Sequence, residues 1–192
     1  SLYQVADVTV SGRYELKPEF QALGEAVSYK VLTEKDGTSR IVLSGDPDYE
    51  KPEAGGAQVV EGLTSIDALS DTKAAQWEAL ARTAEAAVLQ SALSPAKAAE
   101  ISSGTMTISD LRTGMYLVCV EQVEDTAYFY EFVPFLISLP NNYYSLPDGN
   151  PNSDDTWVYD VTVGLKPEQA ERFGTLVIDK MLTNFNQLED VA

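Results

Sequence analysis

The chain has 192 residues, 44% of them hydrophobic and 22% charged, which is enough apolar material for one sizeable domain, or for one domain and part of another. A net charge of −17 argues against nucleic acid and anionic membrane as partners, and the absence of histidine removes the commonest general base and metal ligand. A single cysteine, Cys119, makes neither an internal disulfide nor a cysteine zinc site, and the apolar runs are too short to span a bilayer.

The first third of the chain is predicted to form short strands joined by turns. β-branched and aromatic residues bounded by Gly, Pro, Asp and Ser are typical of strands, and the stretch rich in Gly, Pro and acid at 44–57 is typical of a loop. The predicted strands lie at residues 2–10, within 11–16, at 25–32, at 39–43 and within 58–63.

A helix is predicted over residues 71–93, with Ser70 or Asp71 as its N-cap. Its apolar residues recur at steps of three and four, which indicates one face packed on a core. That face consists of Trp77, Leu80, Ala84 and Val88. The sequence "LSPAKAAEIS" predicts a short second helix with Pro95 in its first turn.

From residue 105 the pattern returns to strands, with β-branched and aromatic residues at high density. The four predicted strands read "TMTISDL", "MYLVCVEQV", "AYFYEFVPFLISL" and "TWVYDVTVGL", and Cys119 is expected to be buried in the second. The aromatic stretch 128–135 could form a carbohydrate-binding platform, but its near-continuous apolar character favours core. The fold predicted is mainly β, an Ig-like β-sandwich with a helical insertion at about residues 71–100.

The end of the chain predicts a domain boundary. Residues 1–167 form the predicted sandwich, 168–174 ("EQAERFG") a linker, and 175–192 the first strand of a following, truncated domain.

Lys166 is the first candidate site. Trp157, Val161 and Val163 are separated by even steps, so they share one side of a strand, which is expected to face the core, and Lys166 points away where the strand ends. On pattern alone, a solvated lysine at a strand end is the favoured interpretation.

The spacing W-x-x-x-V-x-V-x-x-K is similar to the "WxxxVxVYPK" pilin motif of sortase-assembled pili of Gram-positive bacteria, with Gly164 and Leu165 in place of Tyr-Pro. The order of "LYQVADV", a helix with a Trp, "TGMYLV" and "PFLISLP" also resembles the N-terminal domain of such subunits. The resemblance implies a structural subunit of an extracellular, cell-wall-anchored pilus, with Lys166 forming the intersubunit isopeptide bond. Its implied partners are other pilin subunits and the pilus-assembling sortase, and the protein is a substrate rather than an enzyme.

Lys180 is the second candidate site. "GTLVIDKMLTNFN" resembles the opening strand of a Cna-B-type domain, which implies that Lys180 is an intramolecular isopeptide lysine whose partners lie beyond Ala192. A surface strand lysine is the plainer alternative. Apolar burial would favour the neutral, nucleophilic amine.

Two other functions are weighed. An adhesin or tip module could bind host protein or glycan through the helical insertion and the loops at 44–57 and 140–156. A hydrolase would need two carboxylates facing one cleft, and no pair stands out among 30 acidic residues.

Alternating Asp and Asn at 148–154 resemble a calcium loop, but the later positions of such a loop are not matched, so a turn is the favoured interpretation. Neither a metal nor a cofactor is predicted.

Overall fold

The structure, a computed structural model, describes residues 1–65, 72–101, 106–142, 157–158, 161–165 and 167–171. Over these residues the protein is mainly β with antiparallel sheets, one α-helix and two short 3₁₀ helices, an arrangement consistent with a β-sandwich. In chain order the elements are β1 Leu2–Val8, β2 Tyr14–Leu16, a 3₁₀ helix Pro18–Gly24, β3 Val27–Thr33, β4 Ser39–Leu43, a 3₁₀ helix Pro47–Glu50, β5 Gln58–Val60, α1 Ala74–Ser91, β6 Gly114–Val118, β7 Val123–Glu124, β8 Tyr128–Phe132, β9 Phe135–Leu139, β10 Asn141–Asn142, β11 Trp157–Val158 and β12 Pro167–Glu171.

The largest sheet has four strands in the order β2-β1-β6-β9. β1 is central although it opens the chain, and it pairs with β6 in a register that sets Leu2 opposite Val118. A Cβ atom at Gly114 would lie 2.3 Å from the carbonyl oxygen of Ala6, so the close approach of β6 to β1 requires glycine there.

Two smaller sheets have three strands each, β4-β3-β5 and β12-β8-β7, and β10 pairs with β11. β8 and β9 belong to different sheets although only Val133 and Pro134 separate them. Proline has no N–H to donate to a ladder, so Pro134 suits the point at which the chain leaves one sheet and enters another.

Helix α1 lies between the four-stranded sheet and the β4-β3-β5 sheet, contacting strands of both. The three consecutive residues Ala79, Leu80 and Ala81 are each 0% exposed. Successive helical residues are about 100° apart, so this burial covers more than half of the helix circumference. The core cluster accordingly joins Leu80 to Leu117 of β6 and Tyr29 of β3.

The predicted helix face is confirmed for Leu80, Ala84 and Val88, which are buried, whereas Trp77 is half-buried. The predicted N-cap is wrong, because the helix begins at Ala74 with Lys73 as N-cap residue. The backbone N–H of Lys73 donates to Oε1 of Gln76 at 2.9 Å, which satisfies a backbone group at the helix start.

Several predicted elements are wrong. The described part of the second helix, 93–101, is not helical, and Lys97 instead forms a β-bridge with Leu2. Residues 106–111 and 161–165 are not strands. Cys119 is half-buried and follows β6 rather than lying within it.

Residues 168–171 of the predicted linker lie in a strand, because β12 pairs with β8 over five residues from Pro167 opposite Phe132 to Glu171 opposite Tyr128. Pairing to an aromatic strand holds "PEQAE" extended despite its weak intrinsic preference for β structure. Within the described residues, no helix has the length and apolar character needed to cross a membrane.

Candidate functional site

An apolar groove lies beside the segment that carries the predicted motif. Its volume is about 470 Å³, within the range of ligand-sized pockets in proteins. One wall comes from the start of α1, one from the connection between β8 and β9, and one from residues on either side of position 166. The lining residues are Ala74, Trp77, Glu78, Phe132, Val133, Pro134, Phe135, Leu136, Gly164, Leu165, Pro167 and Glu168.

The groove forms where β8 and β9 diverge into different sheets. Pro134 is buried at this junction, while Phe132 and Phe135 on either side of it are half-buried. Trp77 is half-buried on the facing helix. The floor is therefore made of aromatic and aliphatic side chains whose burial is incomplete, which is typical of a surface that another chain can cover.

The two charged residues that line the groove are acidic. Oε1 of Glu78 accepts from Nε of Arg82 at 2.8 Å, so its position on the helix is fixed by an i,i+4 ion pair. Glu168 is exposed on β12. The lining of the groove is thus apolar apart from these two carboxylates, one of which is paired with Arg82.

The sequence-predicted site residues are only partly described. Lys166 and Lys180 lie outside the described residues, and so does the side chain of Trp157, whose backbone pairs with Asn142. Val161 is half-buried. Val163 is 41% exposed in a segment that is not a strand, so the prediction that it faces the core is wrong.

A second feature lies in the aromatic stretch 128–135, which sequence reasoning weighed as a carbohydrate-binding platform before favouring core. Tyr128, Tyr130 and Phe132 alternate along β8 and lie on one side of its sheet, which we call the β8 aromatic face. All three are half-buried, and none belongs to the main hydrophobic core or packs against it. The expectation that this stretch forms sandwich core is therefore wrong for β8. The signal available in the sequence was the alternation of Tyr with Phe and Glu.

The loop at 44–57, a predicted contact surface, is held against the β4-β3-β5 sheet. Nζ of Lys30 donates to the carbonyl oxygen of Tyr49 at 2.8 Å and lies 4.1 Å from the centre of the Tyr49 ring. Asp48 contacts Arg40 and pairs with Lys51 at 2.7 Å, and these cations, Lys51 first, hold the pKa of Asp48 below its usual value. The loop is thus fixed by its own polar contacts.

Cys119, the one thiol, is not poised for nucleophilic chemistry. Burial, followed by the charge of Glu85, raises its pKa from 9.0 to about 11, so the thiolate is scarce at neutral pH. Burial also raises the pKa of Glu85. Across the described ranges, no three His, Cys, Asp or Glu side chains are grouped so as to hold a metal ion.

Comparison of the chain with protein-family models, with curated proteins and with solved structures found no match.

Proposed function

We propose that this protein is a structural subunit of a cell-surface pilus, joined to its neighbours by a sortase through the amine of Lys166. The observation that carries the proposal is the spacing of Trp157, Val161, Val163 and Lys166. The groove supports it, because Leu165 and Pro167, the neighbours of Lys166 in the chain, both line it.

The reaction is an acyl transfer in which this protein is the nucleophile. The sortase holds the threonine carbonyl of another subunit as a thioester on its cysteine. The neutral amine of Lys166 attacks that carbonyl, the C–S bond breaks, and the sortase thiol is regenerated as the new amide forms. A lysine amine of ordinary pKa is protonated at neutral pH, so a base supplied by the sortase must take its proton.

The finer architecture belongs to the same proposal. Residues 1–167 form an Ig-like N-terminal pilin domain, and residues 175–192 begin a domain of the Cna-B type in which Lys180 is the intramolecular isopeptide lysine. The antiparallel sheets around a shared core are consistent with a sandwich of this kind. The strand β12 joins the two parts and is paired to the first of them through β8.

A cross-linking assay tests the role of Lys166. The chain is incubated with a pilus-assembling sortase and an LPXTG donor peptide, and the product is mapped by peptide mass spectrometry. We expect the donor on Lys166 and its loss in both Lys166→Ala and Lys166→Arg, since an arginine guanidinium does not act as an amine nucleophile. Lys35→Ala, which removes an exposed lysine at a turn, is the matched control. Donor transfer that persists in Lys166→Ala would refute the proposal.

The adhesin alternative has three expected surfaces, the helical insertion and the loops at 44–57 and 140–156, and most of the last lies outside the described residues. In the helical insertion, Ala79, Leu80 and Ala81 are 0% exposed, whereas Leu89 is 75% exposed and residues 96–101 are exposed, so the later part of the insertion stays accessible. Most residues of the loop at 44–57 are exposed, but contacts from Lys30 and Arg40 hold the loop in place.

A further inference from the structure

We propose that the β8 aromatic face binds an uncharged glycan chain. The inference stands apart from the pilus proposal, because Lys166 takes no part in it and either can fail without the other. It rests on the arrangement of Tyr128, Tyr130 and Phe132, on the hydrogen bonds that fix them, and on the distribution of charge around them.

Strand pairing makes the face broader than one strand. Residues directly opposite each other in antiparallel strands share a side of the sheet. Val123 of β7 lies opposite Tyr130 and is 54% exposed, and Pro167 of β12 lies opposite Phe132. The aromatic row is thus extended by an apolar residue on each neighbouring strand, Val123 and Pro167, while Gln169 and Glu171 of β12 lie opposite Tyr130 and Tyr128.

The rings form an open row. The centroids of Tyr128 and Tyr130 are 6.3 Å apart, with ring planes tilted by 55°. Two strand residues advance about 6.6 Å, so the row from Tyr128 to Phe132 covers about 13 Å. That length suits several consecutive sugar rings of an extended oligosaccharide. Phe132 also lines the groove beside Trp77, so the apolar surface continues beyond the end of β8.

Asp125 fixes the row before any ligand arrives. Its Oδ1 accepts from the backbone N–H groups of Ala127 and Tyr128, each at 2.8 Å, which locks the turn between β7 and β8. Its Oδ2 accepts from the Tyr130 hydroxyl at 2.9 Å, and this bond is the first cause of a raised pKa at Tyr130. A ring held in place loses little conformational entropy on binding.

The charges favour a neutral ligand. The strands β7, β8 and β12 with the turn at 125–127 contain no lysine or arginine. Glu131 and Glu168 lie on the side of the sheet opposite the aromatic face, whereas the strand register sets a further acidic residue, Glu171, opposite Tyr128 on the aromatic side. An anionic ligand is therefore repelled. Asp125, beside the rings, already accepts three hydrogen bonds, and an open row lacks the closed cage that cation binding favours.

The chemistry that remains on this face is aromatic rings and phenol hydroxyls. Aromatic faces carry partial negative charge and pack against the C–H groups of a sugar, and a phenol hydroxyl can donate and accept hydrogen bonds. The Tyr130 hydroxyl already donates to Asp125, so towards a sugar it is an acceptor. A neutral glycan presents both kinds of group along its length, so it matches this face.

The test uses the full chain and three uncharged linear hexasaccharides, maltohexaose, cellohexaose and hexa-N-acetylchitohexaose, at up to about 10 mM. Amide chemical shifts locate the binding and titration gives its affinity. We expect at least one sugar to shift the amides of Val123 and of β8, with an affinity that does not change with salt. Tyr128→Ala and Tyr130→Ala should each weaken binding about 3- to 10-fold, whereas Tyr128→Phe should retain it.

Tyr49→Ala is the matched control, since Tyr49 is also half-buried with an engaged ring but lies at the β4-β3-β5 sheet. Absence of shifts with all three sugars in the unsubstituted protein would overturn the proposal, as would equal loss in Tyr49→Ala. Salt-sensitive binding of an oligolysine peptide to this face, without sugar binding, would overturn it in favour of a cationic partner. Dimers in light scattering that disappear in Tyr128→Ala would assign the face to a second copy of this chain.

Discussion

Cys119, at the edge of the core, has a thiol pKa above its ordinary value. It follows β6, its backbone N–H donates to the carbonyl oxygen of Ser1 at 2.9 Å, and burial together with the charge of Glu85 raises its pKa to about 11. At pH 8, a pKa of about 11 rather than 9.0 lowers the thiolate fraction about 100-fold. Its reactivity is therefore a sensitive measure of the local structure.

We expect Cys119 in the folded protein to react with Ellman's reagent at pH 8 about 100 times more slowly than in urea, where its pKa returns towards 9.0. Glu85→Gln, which removes a charge that raises this pKa, should speed the reaction in the folded state and leave it unchanged in urea. Equal rates in folded and unfolded protein would contradict the assignment of a raised pKa.

The same thiol gives stability a defined dependence on pH. As pH rises, the unfolded chain loses the proton near pH 9 and the folded protein near pH 11, so between these values the unfolded state binds fewer protons. Stability from this group is therefore complete below pH 9 and falls as pH rises towards 11. Its contribution to acid unfolding is nil.

At the level of elements, the position of α1 between two sheets decides the architecture. Truncation of Leu80, which is 0% exposed, to Ala should cost about 2–5 kcal/mol of unfolding free energy, because the sheets on either side cannot close over the lost volume. Leu89→Ala in the same helix removes a side chain that is 75% exposed and should change stability by less than about 0.5 kcal/mol. Urea unfolding followed by circular dichroism measures both. Similar losses in the two variants would show that α1 packs on one side at most.

The sequence predicted this helix but not its two-sided burial. Leu80, Ala84 and Val88 gave the periodicity of one buried face, and Ala79 and Ala81, small enough for close packing, extend the burial beyond that face. Strands bounded by turn residues, such as Ser39–Leu43 after Gly37, were also predictable from alternation and breakers.

Other features depended on tertiary pairing and could not be predicted locally. "PEQAE" is extended because β8 supplies its hydrogen bonds, and "YFYEF" is apolar enough for core but lies outside the main core cluster. The groove brings together Trp77, Pro134 and Leu165 from three segments that are distant in the sequence, so no local sequence pattern could predict it. The role of Lys166 as the linkage lysine stays a prediction, and it rests on the spacing of Trp157, Val161, Val163 and Lys166.

At the level of the whole molecule, a net charge of −17 sets up strong self-repulsion in the compact state. Added salt screens it, since the Debye length falls from about 30 Å at 0.01 M to about 3 Å at 1 M. We expect the melting temperature at pH 7.5 to rise by several degrees over that range of NaCl, because about 1 kcal/mol corresponds to roughly 2–4 °C for a chain of this size. Near pH 4.2, the sequence pI, the rise should vanish. A fall with salt at pH 7.5 would mean that surface ion pairs outweigh the repulsion.

The central place of β1 in its sheet has a consequence for the order of folding. Leu2 pairs with Val118, so β1 is synthesised more than 100 residues before its partner β6. Until then Val5 and Ala6, both 0% exposed in the final structure, stay in contact with solvent or with other chains. Long-range pairing of this kind slows folding and lengthens exposure to aggregation. During synthesis, a nascent chain stalled before residue 114 would be a natural target for chaperones.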